Sequence, residues 1–327
     1  MERGIGMPLH RSALPQLGGE VFLTDAGVET DLIFNHGIKI REFAAHTLLP
    51  DPAGRAALAR YFEGFLALAR EMNTGFILDS VTWKAHTHWA AALGASRAEL
   101  RAANEDSIGF IAELRRRFAG NPKPIVLNAV MGPRGDAYRS ERKISTAEAE
   151  DYFTEQLSWL AATKVDMTTA LTFNQPSEAA GWARAARAAG LPAVVSFTVE
   201  IDGRLATGQT LADAIAEVDA ASDNYPAYFM INCAHPDHFA EVLEDAAWTR
   251  RIRGVRANAS RRSHAELDEA PELDAGDPRE LARQYRELAD RLPWLNVFGG
   301  CCGSDLRHVT EIARALCCGS EAGGATA

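Results

Sequence analysis

Two cysteines stand side by side in the run Gly299-Gly300-Cys301-Cys302-Gly303, directly after the apolar segment Leu295-Asn296-Val297-Phe298. Adjacent cysteines are poorly placed to bridge each other, because a trans peptide conflicts with the preferred disulfide dihedral. Both can instead face one metal ion if the backbone turns sharply, and the three flanking glycines permit such a turn. A third thiol, Cys233, closes another apolar run, Ala227-Tyr-Phe-Met-Ile-Asn-Cys233. Three thiolates with a vacant fourth position form the donor set of a catalytic rather than a structural zinc. An incoming thiol that takes the fourth position loses its proton and becomes a nucleophile at neutral pH, although its free pKa is about 8.5. Alkyl transfer to sulfur suits this donor set. Hydrolysis suits it less, since zinc that activates water more often has nitrogen and carboxylate ligands.

The elements that must position these thiols are short apolar runs alternating with longer helical stretches. The sequence predicts strands over Val21–Asp25, Gly75–Val81, Pro124–Val130, Asp166–Thr172, Ala193–Val199, Ala227–Cys233, Ile252–Ala259 and Leu295–Gly300. Between them, Arg55–Met72, Arg97–Phe118, Ala147–Thr163, Glu178–Ala189, Leu211–Ala221 and Pro278–Arg291 repeat apolar residues at three- and four-residue intervals and are rich in Ala, Leu, Glu and Arg. Ser96 with Glu99 and Ser145 with Glu148 have capping-box spacing. Eight strands alternating with helices over this length predict a (β/α)8 TIM barrel. No Gly-x-Gly-x-x-Gly follows the first strand, which argues against a dinucleotide-binding sheet. The chain is expected to be one domain, 1–327, with its core at about 20–316. The charged stretch Asn258 to Gly276 is expected to be a loop over the barrel mouth, and Gly319 to Ala327 to fray.

Catalytic groups in such barrels sit where the strands end, on the C-terminal face. Cys233 ends the sixth strand and Cys301 and Cys302 end the eighth, so the barrel brings them to one rim. Asp25, ending the first strand, and Asn258, ending the seventh, are expected at the same rim as substrate contacts. Trp83 and Phe173 follow strand ends, where aromatic rings either enclose an onium group by cation–π attraction or simply pack. His86 and His88 read as loop residues without a third metal partner, and His235 as a pocket residue or the start of a helix before Pro236. Cys317 and Cys318, near the end of the last helix, are expected to be spectators.

Composition narrows the class of protein. Of 327 residues, 47% are hydrophobic and 24% charged, enough for a large core and an ordinary polar surface. A formal charge of −10 argues against nucleic acid or an anionic membrane as the main partner. Met1 to Pro15 has no apolar stretch of signal-peptide length, and no segment is long enough to span a bilayer. Five cysteines in three places do not form a secreted disulfide framework, so the expected compartment is the reducing cytoplasm. A homo-oligomer is left open.

Taken together, Gly299-Gly300-Cys301-Cys302-Gly303, the pair Asn232-Cys233 and Asp25 resemble the zinc-dependent homocysteine S-methyltransferases, the family of betaine–homocysteine and S-methylmethionine–homocysteine methyltransferases. The resemblance runs from about Leu23 to Ile312. It includes Thr30, Leu32, Gly132-Pro133, Gly135, Ser196-Phe197, Gly203 and Gly208. It implies a TIM barrel in which Cys233, Cys301 and Cys302 bind zinc, the zinc activates a thiol acceptor, and a small onium compound gives its methyl group, yielding methionine when homocysteine is the acceptor. It further implies substrate contacts from Asp25, Gly27 and Val28, Thr82 and Asn258, with Asp25 on the acceptor's amino group.

Departures fall near the substrate. Leu171-Thr172 stands where the family has Glu-Thr, Ser80-Val81-Thr82 replaces Thr-Asn-Thr, and Glu29 occupies a position where glycine is usual. Leucine cannot balance an ammonium charge, so a different thiol, or a compensating carboxylate such as Glu29, stays open. The competing class is a non-catalytic zinc or thiol sensor built on a barrel.

Overall fold

The computed structural model describes residues 7–138, 143–270 and 272–317. Eight parallel strands close into a barrel in sequence order, from β1 round to β8 and back. They are β1 (Phe22–Leu23), β2 (Gly75–Asp79), β3 (Ile125–Met131), β4 (Met167–Phe173), β5 (Ala193–Phe197), β6 (Tyr228–Asn232), β7 (Ile252–Ala257) and β8 (Val297–Gly300). Closure is made by β1, where Phe22 pairs with Gly75 on one side and with Val297 on the other. The expected (β/α)8 TIM barrel is thus the observed fold, with its thiols at the C-terminal ends of the strands.

The helices form for local reasons. Pro52–Glu71 starts with Asp51 accepting from the Gly54 N–H and with proline at the first turn. Arg97–Arg117 and Thr146–Ala161 both start with complete capping boxes, Ser96 with Glu99 and Ser145 with Glu148. Pro176–Ala188, Leu211–Ser222, Pro278–Arg291 and Leu306–Cys317 follow β4, β5, β7 and β8. After β6 the connection is reduced to one helical turn, Pro236–Phe239, and two 3-10 turns, Ala240–Val242 and Thr249–Arg251. His235 starts that turn, its Nδ1 accepting from the Asp237 N–H at 3.2 Å.

Inside the barrel, Phe22, Ile77, Val126, Met167, Val194, Tyr228, Met230 and Val297 fill the floor, with Leu14 from the N-terminal segment packed beneath them. Strand ends differ from the sequence expectation by a few residues. The larger difference lies in 258–276, which carries a short helix, His264–Asp268, under a complete Ser263–Glu266 capping box. That Ser-x-x-Glu spacing was present in the sequence, but the surrounding charge outweighed it. Among the described residues no helix is long and apolar enough to cross a membrane. Cys318 and the Gly319–Ala327 tail lie outside the described residues.

Candidate active site

The three thiols meet at the rim. Sγ atoms of Cys233, Cys301 and Cys302 all lie within 4.8 Å of one another, and those of Cys233 and Cys302 are 3.5 Å apart. A tetrahedral zinc with Zn–S distances of about 2.3 Å needs its sulfurs ~3.8 Å apart, so the cluster fits the ion with small adjustments. In this arrangement one thiolate is held by two thiols. Hydrogen bonds from Cys233 and Cys302, aided by Arg256 and Asn232, hold Cys301 well below the usual thiol range. Hydrogen bonding to Cys233 and Cys301, together with burial, pushes Cys302 up.

The backbone that presents these thiols is held in uncommon conformations. Cys233 sits at φ 57° and Thr172 at φ 65°, a region non-glycine residues seldom occupy. Asn258 and His264 hold the Cys233 carbonyl, and Asn232 holds Thr172. Its Oδ1 accepts from the Thr172 N–H at 3.0 Å and the Ser196 hydroxyl at 2.6 Å, while its Nδ2 donates to Thr172 Oγ1 at 2.8 Å and lies 3.7 Å from Cys301 Sγ. One buried amide therefore ties β4, β5, β6 and β8 together around the cluster.

Of the three glycines of the motif, one makes the expected turn and two serve a different purpose. Only Gly303 has positive φ, at 78°. A Cβ on Gly299 would lie 1.9 Å from Thr24 Oγ1, and one on Gly300 would lie 2.0 Å from Ser304 Oγ. These two glycines let β8 approach β1 and its own following turn. Gly27 does the same from the other side, since its Cβ would meet the Cys301 carbonyl oxygen at 2.6 Å. The turn after β1 is thereby packed directly on the cysteine backbone.

Above the thiols a cavity of about 80 Å³ is walled by Glu29, Phe43, Trp83, Tyr138, Leu171 and the turn Asp25 to Val28. Trp83 is fixed by its Nε1–H donating to the Leu171 carbonyl at 2.9 Å, and a side chain at Gly132 would collide with its ring. Phe173 is not in this wall; it is fully buried against Phe153 and Trp182, so packing is its role. Asp25 lines the cavity, yet both oxygens are already engaged: Oδ1 accepts from Arg256 at 2.6 Å and Oδ2 from the Tyr61 hydroxyl at 3.2 Å. Thr82 and Asn258 stand behind the wall. Thr82 donates to the Val130 carbonyl at 2.7 Å, and Asn258 Nδ2 donates to the Cys233 carbonyl at 2.9 Å. His86 is buried rather than looped out, bonded to the Tyr152 hydroxyl. Cys317 is exposed on the last helix and takes no part in the cavity wall.

Three residues that the sequence did not single out belong here. Arg256 reaches across the barrel from β7, donating to Asp79 and Asp25 and, through Nε, to the Gly300 carbonyl at 3.2 Å. Its signal was parity: of the two arginines in β7, Arg253 and Arg256, only Arg256 shares the inward parity of Gly254. Tyr138 places its hydroxyl 3.0 Å from Cys233 Sγ and stacks on His264 with ring centroids 4.2 Å apart. His264 in turn bonds through Nε2 to the Cys233 carbonyl at 2.6 Å. Nothing in the local sequence of either residue pointed to the thiols.

Glu29 is the remaining charge in the wall. Burial pushes its carboxyl up to about 7, helped by the nearby Cys301, against the pull of backbone N–H groups and Lys84.

Comparison with known proteins agrees with this site. The sequence profile of the homocysteine S-methyltransferase family matches residues 22–316. Comparison with curated proteins gives no match. Among solved structures, the Escherichia coli homocysteine methyltransferase MmuM in its oxidized form superposes with a TM-score of 0.73 at 19% identity, covering 94% of this chain and 99% of that one. Its metallated form gives 0.68 at 18% identity, covering 90% and 96%, and its apo form 0.61 at 18%, covering 93% and 98%. At such identity the likeness speaks for the fold alone, whereas the family profile spans most of the chain. With three convergent thiols suited to zinc at the rim of the barrel, the chain belongs to the homocysteine S-methyltransferase family, S-methyltransferases that use zinc.

Proposed function

We propose that this protein moves a methyl group from a small onium donor to a thiol acceptor, with homocysteine as first candidate and methionine as its product. Cys233, Cys301 and Cys302 would hold the zinc. The observation that carries the reading is the meeting of these three thiols under a partly aromatic cavity. Zinc bound there supplies the acidity that strips the proton from an incoming thiol at neutral pH.

The chain's own residues do the rest. Asn232 fixes Thr172 and Cys301, and Arg256 puts a permanent positive charge behind a cluster whose thiolates are otherwise mutually repulsive. Asn258 and His264 hold the Cys233 carbonyl, which keeps its side chain turned into the cluster. The turn Asp25 to Val28 forms the wall beside Cys301, with the Gly27–Val28 backbone available to the acceptor's polar end. Thr82 keeps β3 and the loop after β2 together behind Trp83. Trp83 and Phe43 offer ring faces to a cationic donor and exclude water from it. In the transfer, acceptor sulfur attacks the methyl carbon in line with the departing sulfur or nitrogen. The new S–C bond takes the sulfur's electron pair, the old bond's pair returns to the leaving atom, and the onium charge is neutralised.

The small thiol and the methyl donor are the partners in this reading, and a reducing cytoplasm keeps the thiols available for metal. A matrix of donors (S-methylmethionine, S-adenosylmethionine, betaine) against thiol acceptors, read by mass spectrometry, tests the reaction, with Cys302→Ala as control. No product in any pairing, or undiminished product in the control, would refute it.

A further inference from the structure

Three carboxylates line the cavity, Asp25, Asp79 and Glu29, and two are already committed. Asp25 is divided between Arg256 and Tyr61. Asp79 takes Arg256 on one oxygen and the Asn128 amide, at 2.8 Å, on the other. Glu29 differs. Among the described residues no side chain lies within hydrogen-bond or ion-pair distance of it, and its contacts are backbone N–H groups, its own and that of Ala45. Lys84, the nearest cation, is directed elsewhere, its Nζ donating to the Glu42 carbonyl at 2.8 Å and lying 4.2 Å from the centroid of the Trp89 ring.

Glu29 is half-buried and lines the cavity; a partly desolvated carboxylate without a counter-charge is costly, and such a position is organised for a cation that arrives with the ligand. Leu171, Val81 and Val130 in the same lining offer an ammonium group no counter-charge. Glu29 also sits on the turn packed against the Cys301 backbone, hence on the side of the cavity where the acceptor's sulfur must enter. We propose that Glu29 is a specificity-determining residue that receives the ammonium group of the acceptor, so that the protein selects thiols bearing a cationic amino group a few bonds from sulfur. This assignment rests on the thiol-binding function proposed above. It gives Asp25 a positioning role, holding Arg256 and Tyr61, in place of the substrate contact expected from the sequence.

Calorimetric titration of the zinc-loaded full-length protein with L-homocysteine and with 4-mercaptobutanoate, its analogue lacking the amino group, separates the possibilities. The wild-type protein should bind homocysteine about 10–100-fold more tightly, the worth of a charge-assisted hydrogen bond in a buried site. Glu29→Gln should bring that ratio to about one while leaving the Kd of 4-mercaptobutanoate within about twofold. Leu171→Ala, a change in the facing apolar wall, should shift both thiols together and keep the ratio. An unchanged ratio in Glu29→Gln overturns the assignment, and so does an equal loss for both thiols. A ratio abolished by Asp25→Asn but not by Glu29→Gln returns the ammonium to Asp25. Loss of preference for the donor rather than the acceptor, seen by titrating S-methylmethionine, also overturns it. If neither thiol binds the wild-type protein, the thiol-transfer function itself fails, an outcome distinct from thiols that bind without regard to Glu29.

Discussion

Two buried arginine–carboxylate groups lie at opposite ends of the barrel and are resolved differently. At the floor, Asp166 accepts from the N–H groups of Leu9, His10 and Leu127 at 2.8, 2.8 and 2.9 Å and from Arg115 at 2.6 Å. Four donors surround one carboxylate, and the N-terminal segment is tied to the barrel by it. At the rim, Arg256 is shared by Asp25 and Asp79, two negative charges on one positive, with an open cavity alongside. The same pairing chemistry closes one end and leaves the other acidic. Desolvated ion pairs are tolerated only when their remaining valences are met. The floor meets them with its own backbone; the rim meets them with the Tyr61 hydroxyl and the Asn128 amide, and leaves Glu29 facing the cavity beside them.

The sharpest break in this comparison comes from the thiols. Replacing Cys233, Cys301 or Cys302 by Ala should take bound zinc from about one per chain to near zero and abolish methyl transfer, while the far-ultraviolet dichroism stays native. Metal analysis of the purified variants checks it; full zinc retention in all three would remove the rim's claim to be the active end.

Asp166→Ala should have the opposite signature. Removing one partner of a buried pair costs about 3–5 kcal/mol, read as a lower midpoint in denaturant unfolding, with zinc per folded chain unchanged. If zinc binding fell and the midpoint held, floor and rim would not be separable.

Arg256→Met tests the rim's own pair. Asp25 and Asp79 would then face each other without a cation, and the Gly300 carbonyl would lose its Nε donor. Zinc affinity in chelator competition should fall about 10–100-fold, the usual effect of removing a group that orients metal ligands. Asp166→Ala should leave that affinity where it was.

A smaller effect is expected from the loops above the rim. Burial pushes His46 down to about 4 and, foremost among its causes, His86 down to about 3, whereas each takes a proton near 6.5 when unfolded. Both folded values are depressed. Stability is therefore fully present above pH 6.5 and is lost as pH falls from there through 4, by on the order of 1 kcal/mol per residue at pH 6. Thermal melts of wild type and His46→Gln across pH 7 to 5 should show a shallower slope in the variant, and parallel curves would count against it.

Much of the site was legible before any coordinates, for physical reasons. Strand and helix periodicity, serine caps and prolines at first turns act over a few residues, so alternation of eight strands with helices can be read along the chain. Cys233, Cys301 and Cys302 were legible because three thiols at strand ends in an acidic, disulfide-poor chain have few uses other than metal. Of the motif's glycines, Gly303 does supply the turn, at φ 78°, while Gly299 and Gly300 are needed for close packing. Turn geometry is local, while the clash of a Cβ on Gly299 with Thr24 exists only once β8 lies against β1. Tertiary structure alone decided which charges are already paired. Asp25 and Arg256 are 231 residues apart and meet only because the barrel closes. Until it does, Asp25, Asp79 and Glu29 are three equivalent carboxylates near strand ends, and only the reach of one arginine separates the two that are held from the one left facing the cavity.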